Sequence, residues 1–487
     1  MKTPSKYQQA IYDWAVKGDG SAVIEAVAGS GKTTTIIEVL NRIPPSASVL
    51  MLAFNKSIAD ELAERVPANV TVKTFNGLGH SMLRKTISVK LELTSWKVRN
   101  IARRMLPRET YEENGNDIVA LVGFAKRTGV SPSSILSEWV GLITHFGIGI
   151  PTKHQHSVIE YARAILQTSN EAVMAEGLID FDDQVYIPTR LSARGAEKYD
   201  WVFVDEAQDA SVTRIKLAQH SLAENGRLVA CGDSHQAIYG FTGASANAMS
   251  QFVVTFEAKV FPLSISYRCA RRIVEAAQEV MPIIEAADTA PAGEVTFSGT
   301  KWSSDTFLPG DMVVCRMNGP LVSLAWQLVA DGVACRILGR NISSGLVSII
   351  KGLKITRLSD LRSTLGKWHN DAKARLDPEE DALAIEQLDD KCMCILAIYK
   401  RSSASSLKDF IASIENLFAD EVDSSNTVTL CSVHKSKGLE ADRVFILNRD
   451  SMPSVAAKLP WQMAQEKNLI YVAITRAKHS LFLIDRE

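Results

Sequence analysis

The stretch SAVIEAVAGSGKTTTIIEVL, residues 21–40, decides the fold. An apolar, β-like run leads into a loop of small residues, and Lys32-Thr33 then opens a segment with apolar residues at helical spacing. Strand, small-residue loop and helix is the context in which the signature G-x-x-x-x-G-K-[ST] cradles phosphate. The match is complete except for Ala26, which stands at the first glycine position. That change costs little, because the close backbone approaches fall to Gly29 and Gly31. The loop and helix start, Ala28, Gly29, Ser30, Gly31, Lys32, Thr33 and Thr34, are expected to wrap the phosphates of ATP with backbone N–H groups. Lys32 would reach the β- and γ-phosphates, and the Thr33 hydroxyl would hold Mg²⁺.

A second stretch supports the first. WVFVDEAQD, residues 201–209, is an apolar strand that ends in acids. Asp205 at the strand tip suits Mg²⁺, and Glu206 suits a general base for the attacking water.

The bulk numbers set the frame. A chain of 487 residues predicts two to four domains. With 54 Lys+Arg against 55 Asp+Glu there is no global basic field, so any nucleic-acid site must be local. The N-terminal MKTPSKYQQAIYDW lacks the apolar run of a signal peptide and no long apolar run follows, which predicts a cytoplasmic chain without membrane partners. Seven scattered cysteines form no C-x-x-C, so reduced, mostly buried thiols are expected, with no zinc and no iron–sulfur cluster.

Apolar runs alternate with helical patterns along most of the chain, which predicts an α/β fold with parallel sheets. Two blocks of helical periodicity interrupt the alternation. The expected division is a first P-loop NTPase domain over residues 1–84 and 179–260, with a helical insertion over 85–178. A second α/β domain is expected over 261–344 and 425–487, with a smaller insertion over 345–424. A basic segment in the first insertion, with Lys90, Lys97, Arg99, Arg103 and Arg104 against Glu92, would either grip phosphates or form a solvated face.

DEAQD with AVAGSGKTTT before it resembles superfamily 1 helicases of the UvrD/Rep type, in which the first phosphate-loop position is usually Ala. The family's other motifs follow in order. YQQAI resembles its adenine-recognising glutamine motif, through Gln8 or its neighbour Gln9. LAFNKSIADEL and KTFNGLGHSML resemble two motifs that touch single-stranded DNA, which makes Phe54, Asn55, Thr74 and Phe75 DNA-side candidates. IDFDD resembles the box that closes the first insertion. CGDSHQAIYGFTGAS resembles the third motif, where Gln236 would sense the γ-phosphate and Phe241 would stack on a base. SISYRC resembles the fourth, with Tyr267 against adenine and Arg268 as an arginine finger. CSVHKSKGLEADRVFIL resembles the fifth, with Glu440 on the ribose and Ser432, His434 and Lys437 facing DNA. EKNLIYVAITRAK resembles the sixth, with Arg476 as a second finger.

The resemblance implies two RecA-like domains that bind single-stranded DNA between them and move 3′→5′ on ATP and Mg²⁺. Single-stranded DNA and single-strand/duplex junctions are then the expected partners, with protein partners possible in a DNA-processing or defence complex. A DNA-stimulated ATPase serving as sensor or regulatory subunit is the alternative. Departures from the pattern are Thr242 where many relatives carry Arg, Asn76 where His is frequent, Ser266 where Asn is common, and a reduced second insertion. The short stretch after the sixth motif leaves no room before Glu487 for a nuclease domain.

Overall fold

The computed structural model of the chain describes residues 3–191, 197–244, 247–299, 302–378, 381–419 and 426–485. Two units emerge, Met1–Ser264 and Ile265–Glu487.

In the first unit the strands are β1 (Ala22–Ala26), β2 (Val49–Ala53), β3 (Val70–Thr74), β4 (Glu92–Leu93), β5 (Leu178–Ile179), β6 (Tyr199–Val204), β7 (Leu222–Gly232) and β8 (Lys259–Leu263). Six of them form one parallel sheet in the order β3-β2-β6-β7-β1-β8. The inner strands β2 and β6 are near-continuous apolar runs, as parallel strands covered on both faces require, and every residue of β2 is buried. β1 pairs with β7 through Glu25 and Gly232, and β6 pairs with β7 through Val204 and Ala230. This register brings the carboxyl ends of β1, β6 and β7 to one edge, where ligands of open α/β sheets bind. Because Phe261 pairs with Ile24 inside β8, the sheet runs past the expected domain limit at residue 260.

The first insertion is helical, with helices Lys97–Met105, Arg108–Thr128, Leu136–Phe146 and Thr152–Glu176 around a core of their own that includes Trp139, Ile159 and Leu166. The two short strands β4 and β5 pair with each other in parallel where it leaves and rejoins the sheet. Lys97 is no phosphate grip: it is fully buried, 2.6 Å from Asp183 Oδ2 and donating at 2.8 Å to the Ser169 carbonyl. Lys126 lies 2.6 Å from Asp180 and 2.7 Å from Asp183. Two lysines and two aspartates thus form a closed, neutral group under the insertion. Removing one member would strand a buried charge, at about 3–5 kcal/mol. Arg103 and Arg104 are exposed, which fits either a phosphate grip or a solvated face.

In the second unit the strands are β9 (Ile265–Ser266), β10 (Glu285–Ala286), β11 (Glu294–Gly299), β12 (Met312–Cys315), β13 (Cys335–Leu338), β14 (Phe418–Ala419), β15 (Val428–Ser432), β16 (Ala441–Leu447) and β17 (Ala477–Ile484). Seven build a parallel sheet ordered β11-β17-β16-β12-β15-β13-β14. Helices Arg340–Gly352, Leu361–Lys373, Ala382–Arg401 and Leu407–Leu417 fill the span between β13 and β14. The Ser-rich stretch near residue 405 supplies a helix cap: Ser406 Oγ accepts from the Asp409 N–H at 3.2 Å. The seven cysteines are free thiols, six of them buried. No helix among the described residues is long and apolar enough to cross a membrane.

One contact shows how tightly the first unit is packed. A Cβ on Gly79, in the helix Phe75–Thr86, would stand 1.7 Å from the Gln184 carbonyl oxygen. Gly79→Ala is therefore expected to cost about 1–3 kcal/mol and lower the thermal midpoint. Gly141→Ala, in a helix position open to space, should leave the midpoint unchanged or slightly raised. Thermal melts of the two variants beside the parent check the contrast.

Candidate nucleotide site and nucleic-acid face

The phosphate loop leaves β1 at Ala26, which is buried strand paired with Leu263. The left-handed backbone falls instead at Gly29 (φ 71) and Gly31 (φ 79), where glycine is needed. Helix Lys32–Leu40 starts directly after Gly31, and its first N–H groups lack intrahelical acceptors, as at any helix start. Ser30 is fully buried and its Oγ has no hydrogen-bond partner among the described residues. An orphaned hydroxyl beside two left-handed glycines and a helix start fits a polyphosphate. Behind the loop, Gln8 Nε2 donates to Thr35 Oγ1 at 3.2 Å, while its Oε1 accepts from the Ser5 N–H at 3.0 Å. Gln9 turns away to the Asp13 carboxylate, so Gln8 is the glutamine near the loop.

Lys32 and Glu206 form an ion pair at 2.8 Å, with side chains 13% and 27% exposed. Burial opposes the charge on Lys32, but Glu206 and Asp205 outweigh it and hold its pKa above the usual lysine value. Burial and the neighbouring Glu206 push Asp205 up to about 6. A buried carboxylate in that state fits a divalent cation, and Thr33 stands half-buried in the first turn of the adjoining helix. Thr34 is exposed beside it, and Ala28 is buried.

Glu206 sits in the left-handed region at φ 48, which is costly for a residue with a side chain. Besides the Lys32 pair, its N–H donates to Asp205 Oδ1 at 2.9 Å, and its Oε2 accepts from Gln208 Nε2 at 2.6 Å. Gln208 Oε1 in turn accepts from the Asp233 N–H at 3.0 Å, and Asp233 accepts from Gln236 Nε2 at 2.7 Å. A hydrogen-bonded chain thus runs from Glu206 to Gln236. Glu25 closes the set, accepting from the Ser234 N–H at 2.9 Å. Gln208 was not singled out from sequence; the signal was its place two residues after Glu206.

In the second unit Arg268 pairs with Glu440 at 2.6 Å, and Lys478 reaches the same carboxylate at 3.0 Å. Burial works against that carboxylate's charge, yet the two cations keep its pKa below the usual range. Tyr267 next to Arg268 is 48% exposed. Arg476 is almost fully buried and donates to the Val472 and Leu439 carbonyls at 2.9 and 3.0 Å.

The expected DNA-facing residues divide. Phe75 is fully buried in the core under the sheet, so it offers no face to a base, which corrects that expectation. Phe54 packs edge-on against it at 5.5 Å and is half-buried, with the Arg214 guanidinium 4.8 Å above its ring. Asn55 and Thr74 cap the helices that follow them, accepting from the Ile58 and Gly77 N–H groups at 2.8 and 3.0 Å. Phe241 lies in the 3-10 turn Gly240–Thr242, but its side chain is outside the described residues. Ser432 is buried at the end of β15, and Lys437 is half-buried. Burial and Arg316 push His434 down to about 3, so at neutral pH it is uncharged and does not pair with phosphate as a cation.

Sequence reasoning missed Phe181 and Arg214. The Phe181 ring is 56% exposed and lines a cleft of about 460 Å³ in the first unit, together with Asn76, Asp209, Arg214 and Thr242. Only the exposure of an aromatic ring inside IDFDD would have revealed it, and exposure is not a sequence property.

Asp205 yields a pH test. Its carboxyl titrates near 6 in the folded chain and at 3.8 when unfolded. Between those values the folded state binds the extra proton, so this group's contribution to stability falls as pH rises through the window. At pH 7.5 the ionised group burdens the nucleotide-free fold. Asp205→Asn should therefore raise the thermal midpoint at pH 7.5, and the gain should shrink as the pH is lowered towards 5. A gain that does not change between those pH values contradicts the assignment.

Residues 8–257 match the UvrD/REP helicase N-terminal domain, and residues 351–487 match the UvrD-like helicase C-terminal domain. F-box DNA helicase protein 1 of Schizosaccharomyces pombe is 23% identical over 95% of this chain and 55% of its own length. DNA helicase IV of Escherichia coli is 24% identical over 96% of this chain and 66% of its own. ATP-dependent DNA helicase UvrD2 of Mycobacterium tuberculosis is 22% identical over 95% and 76%. The chain thus spans between about half and three quarters of these relatives. With one domain description covering the first half and a second reaching the carboxyl end, and with the phosphate loop, Asp205-Glu206 and Gln236 brought to one sheet edge, the chain belongs to the UvrD/Rep helicase family.

Proposed function

We propose that the chain is an ATP-dependent DNA translocase and helicase that grips single-stranded DNA and moves 3′→5′. The observation that carries the reading is the Lys32–Glu206 pair at the phosphate loop, with Glu206 wired to Gln236 through Gln208 and Asp233. Lys32 neutralises the base while no triphosphate is present. A γ-phosphate in the loop competes for the lysine, which releases the Glu206 carboxylate to accept a proton from the attacking water. Gln208 keeps the released carboxylate in place, and Gln236 reports the state of the site to the turn at residues 240–242. Thr33 and Asp205 would hold Mg²⁺, which supplies charge neutralisation at the phosphates. By the family likeness Arg268 would act as an arginine finger, Tyr267 and Gln8 would take the adenine and Glu440 the ribose, and Arg476 would be the second finger once its guanidinium leaves the Val472 and Leu439 carbonyls. A cation of this kind is worth about 10³–10⁵ in rate.

The nucleic-acid half rests on the family, on relatives named as DNA helicases, and on a polar cleft edged by an exposed aromatic ring. Aromatic stacking with few base-edge donors suits a sequence-tolerant grip, at about 1–3 kcal/mol per stacked base.

Lys32→Ala and Glu206→Gln are expected to lower DNA-stimulated ATP hydrolysis at least about a hundredfold, within the span of general acid–base catalysis, while single-strand affinity is kept. Phosphate release and anisotropy titration measure the two properties separately, and near-normal hydrolysis by Glu206→Gln would remove it as the base. Direction is read from tailed duplexes: ATP should drive displacement of a 3′-tailed substrate and not of its 5′-tailed counterpart. Hydrolysis without displacement on either substrate would favour a DNA-stimulated regulatory ATPase.

A further inference from the structure

The helix Arg108–Thr128 of the first insertion ends in two neighbouring cations with different surroundings. Lys126 is wholly buried between Asp180 and Asp183. Arg127 lies in the wall of the 460 Å³ cleft with its side chain 36% exposed. Its Nε and Nη2 form a fork on the Asp182 carboxylate at 3.0 and 2.9 Å. Its Nη1 donates at 2.8 Å to the Thr242 carbonyl, in the 3-10 turn Gly240–Thr242. The stem runs over Gly243, whose φ is 90 and where an added Cβ would come 2.8 Å from Arg127 Cδ. Thr213 Oγ1 fixes the backbone of Arg127 by donating to its carbonyl at 3.0 Å. One side chain of the insertion therefore holds two turns of the first unit at once: the acidic turn at residues 180–183 and the turn at residues 240–242.

The acidic turn is restrained at every residue. Asp180 and Asp183 bind Lys126, Asp182 binds Arg127, and the Phe181 carbonyl accepts from Asn76 Nδ2 at 2.7 Å. Phe181 is the most exposed residue of the turn, at 56%. A ring fixed at its backbone and open at its face is preorganised for a partner, because little freedom remains to be lost on binding.

We infer that Arg127 is a positioning residue: it sets the spacing of the two turns that line this cleft, and with it the affinity for single-stranded DNA and the degree to which DNA stimulates hydrolysis. The inference rests on the reading of the cleft as a path for the strand. All three guanidinium nitrogens already bond to protein, so Arg127 acts by holding shape and not as a counter-ion to phosphate. That distinction is measurable. A cation that contacts a DNA phosphate adds about one to the slope of log affinity against log salt, and one spent on internal bonds adds nothing.

The test compares the full chain with Arg127→Gln, Arg127→Lys, Asp182→Asn and the Arg127→Gln/Asp182→Asn double variant. Anisotropy with a labelled oligothymidylate at several salt concentrations reads affinity and slope. ATP hydrolysis with and without the oligonucleotide reads stimulation. Arg127→Gln should weaken binding roughly tenfold, within the range by which a residue that touches no ligand modulates a site, and reduce stimulation alongside. The salt slope and the DNA-independent hydrolysis should stay at parent values, and the melting midpoint should fall by no more than a few degrees. Arg127→Lys should recover part of the affinity, and the double variant should be no worse than the poorer single one, since both break the same clamp. Unchanged affinity and stimulation in Arg127→Gln would overturn the inference. A slope lower by about one would overturn it in favour of direct phosphate contact. Loss of DNA-independent hydrolysis with a lowered melting midpoint would reduce Arg127 to a fold-holding role. If the parent chain itself neither binds the oligonucleotide nor responds to it, the reading of the cleft fails first, and the inference with it.

Discussion

The constraint on which the rest depends is that a parallel sheet buried on both faces has no room for charge along its strands. β2 and β6 are apolar almost throughout, and in β1 only Glu25 breaks the pattern, one residue from the strand end. Charged groups are therefore driven to the carboxyl edge, where the chain leaves the sheet and backbone groups need partners. Asp205 and Glu206 follow β6, Asp233 follows β7, and the phosphate loop follows β1. The catalytic edge is where such a sheet can keep its charge.

Several of the charges in the two units are matched by others. Lys32 and Glu206 neutralise one another, Glu440 takes two cations, and Lys97 and Lys126 share Asp180 and Asp183. The two kinds of pair differ in what a ligand can do to them. The lysines under the insertion are sealed, so their pairs are permanent. Lys32 and Glu206 remain partly exposed, and a more strongly charged anion can exchange for the carboxylate. The same chemistry serves as a rivet in one place and as a switch in the other, and accessibility decides which.

Much of this was legible before any coordinates. The strands, the two helical blocks, the phosphate loop and the acids after β6 follow from local pattern, because apolar runs and glycine positions report directly on backbone geometry. Ala26 was correctly tolerated, since it proves to be ordinary strand. What sequence could not show depends on depth and on distant partners. Phe75 and Lys97 each looked available for DNA and are buried. His434 looked like a candidate at the strand and is held neutral by its surroundings. Gln208 and Arg127 gain their significance from residues 25 and 55 positions away in the chain, a separation at which no local pattern survives.

Glu206 carries a further consequence through its backbone. A side-chain-bearing residue at φ 48 stores strain that glycine or asparagine would relieve. The position is thus one where a more durable molecule and a working one ask for different residues. In a population selected only for persistence, by heat or by proteolysis, Glu206, the base of the proposed reaction, would be among the first groups exchanged. A variant library sorted on stability alone should drift at Glu206 towards small or left-handed-tolerant residues, and one sorted on turnover should not. On the proposed reading, Glu206 sets a modest loss in durability against its place beside the phosphate loop.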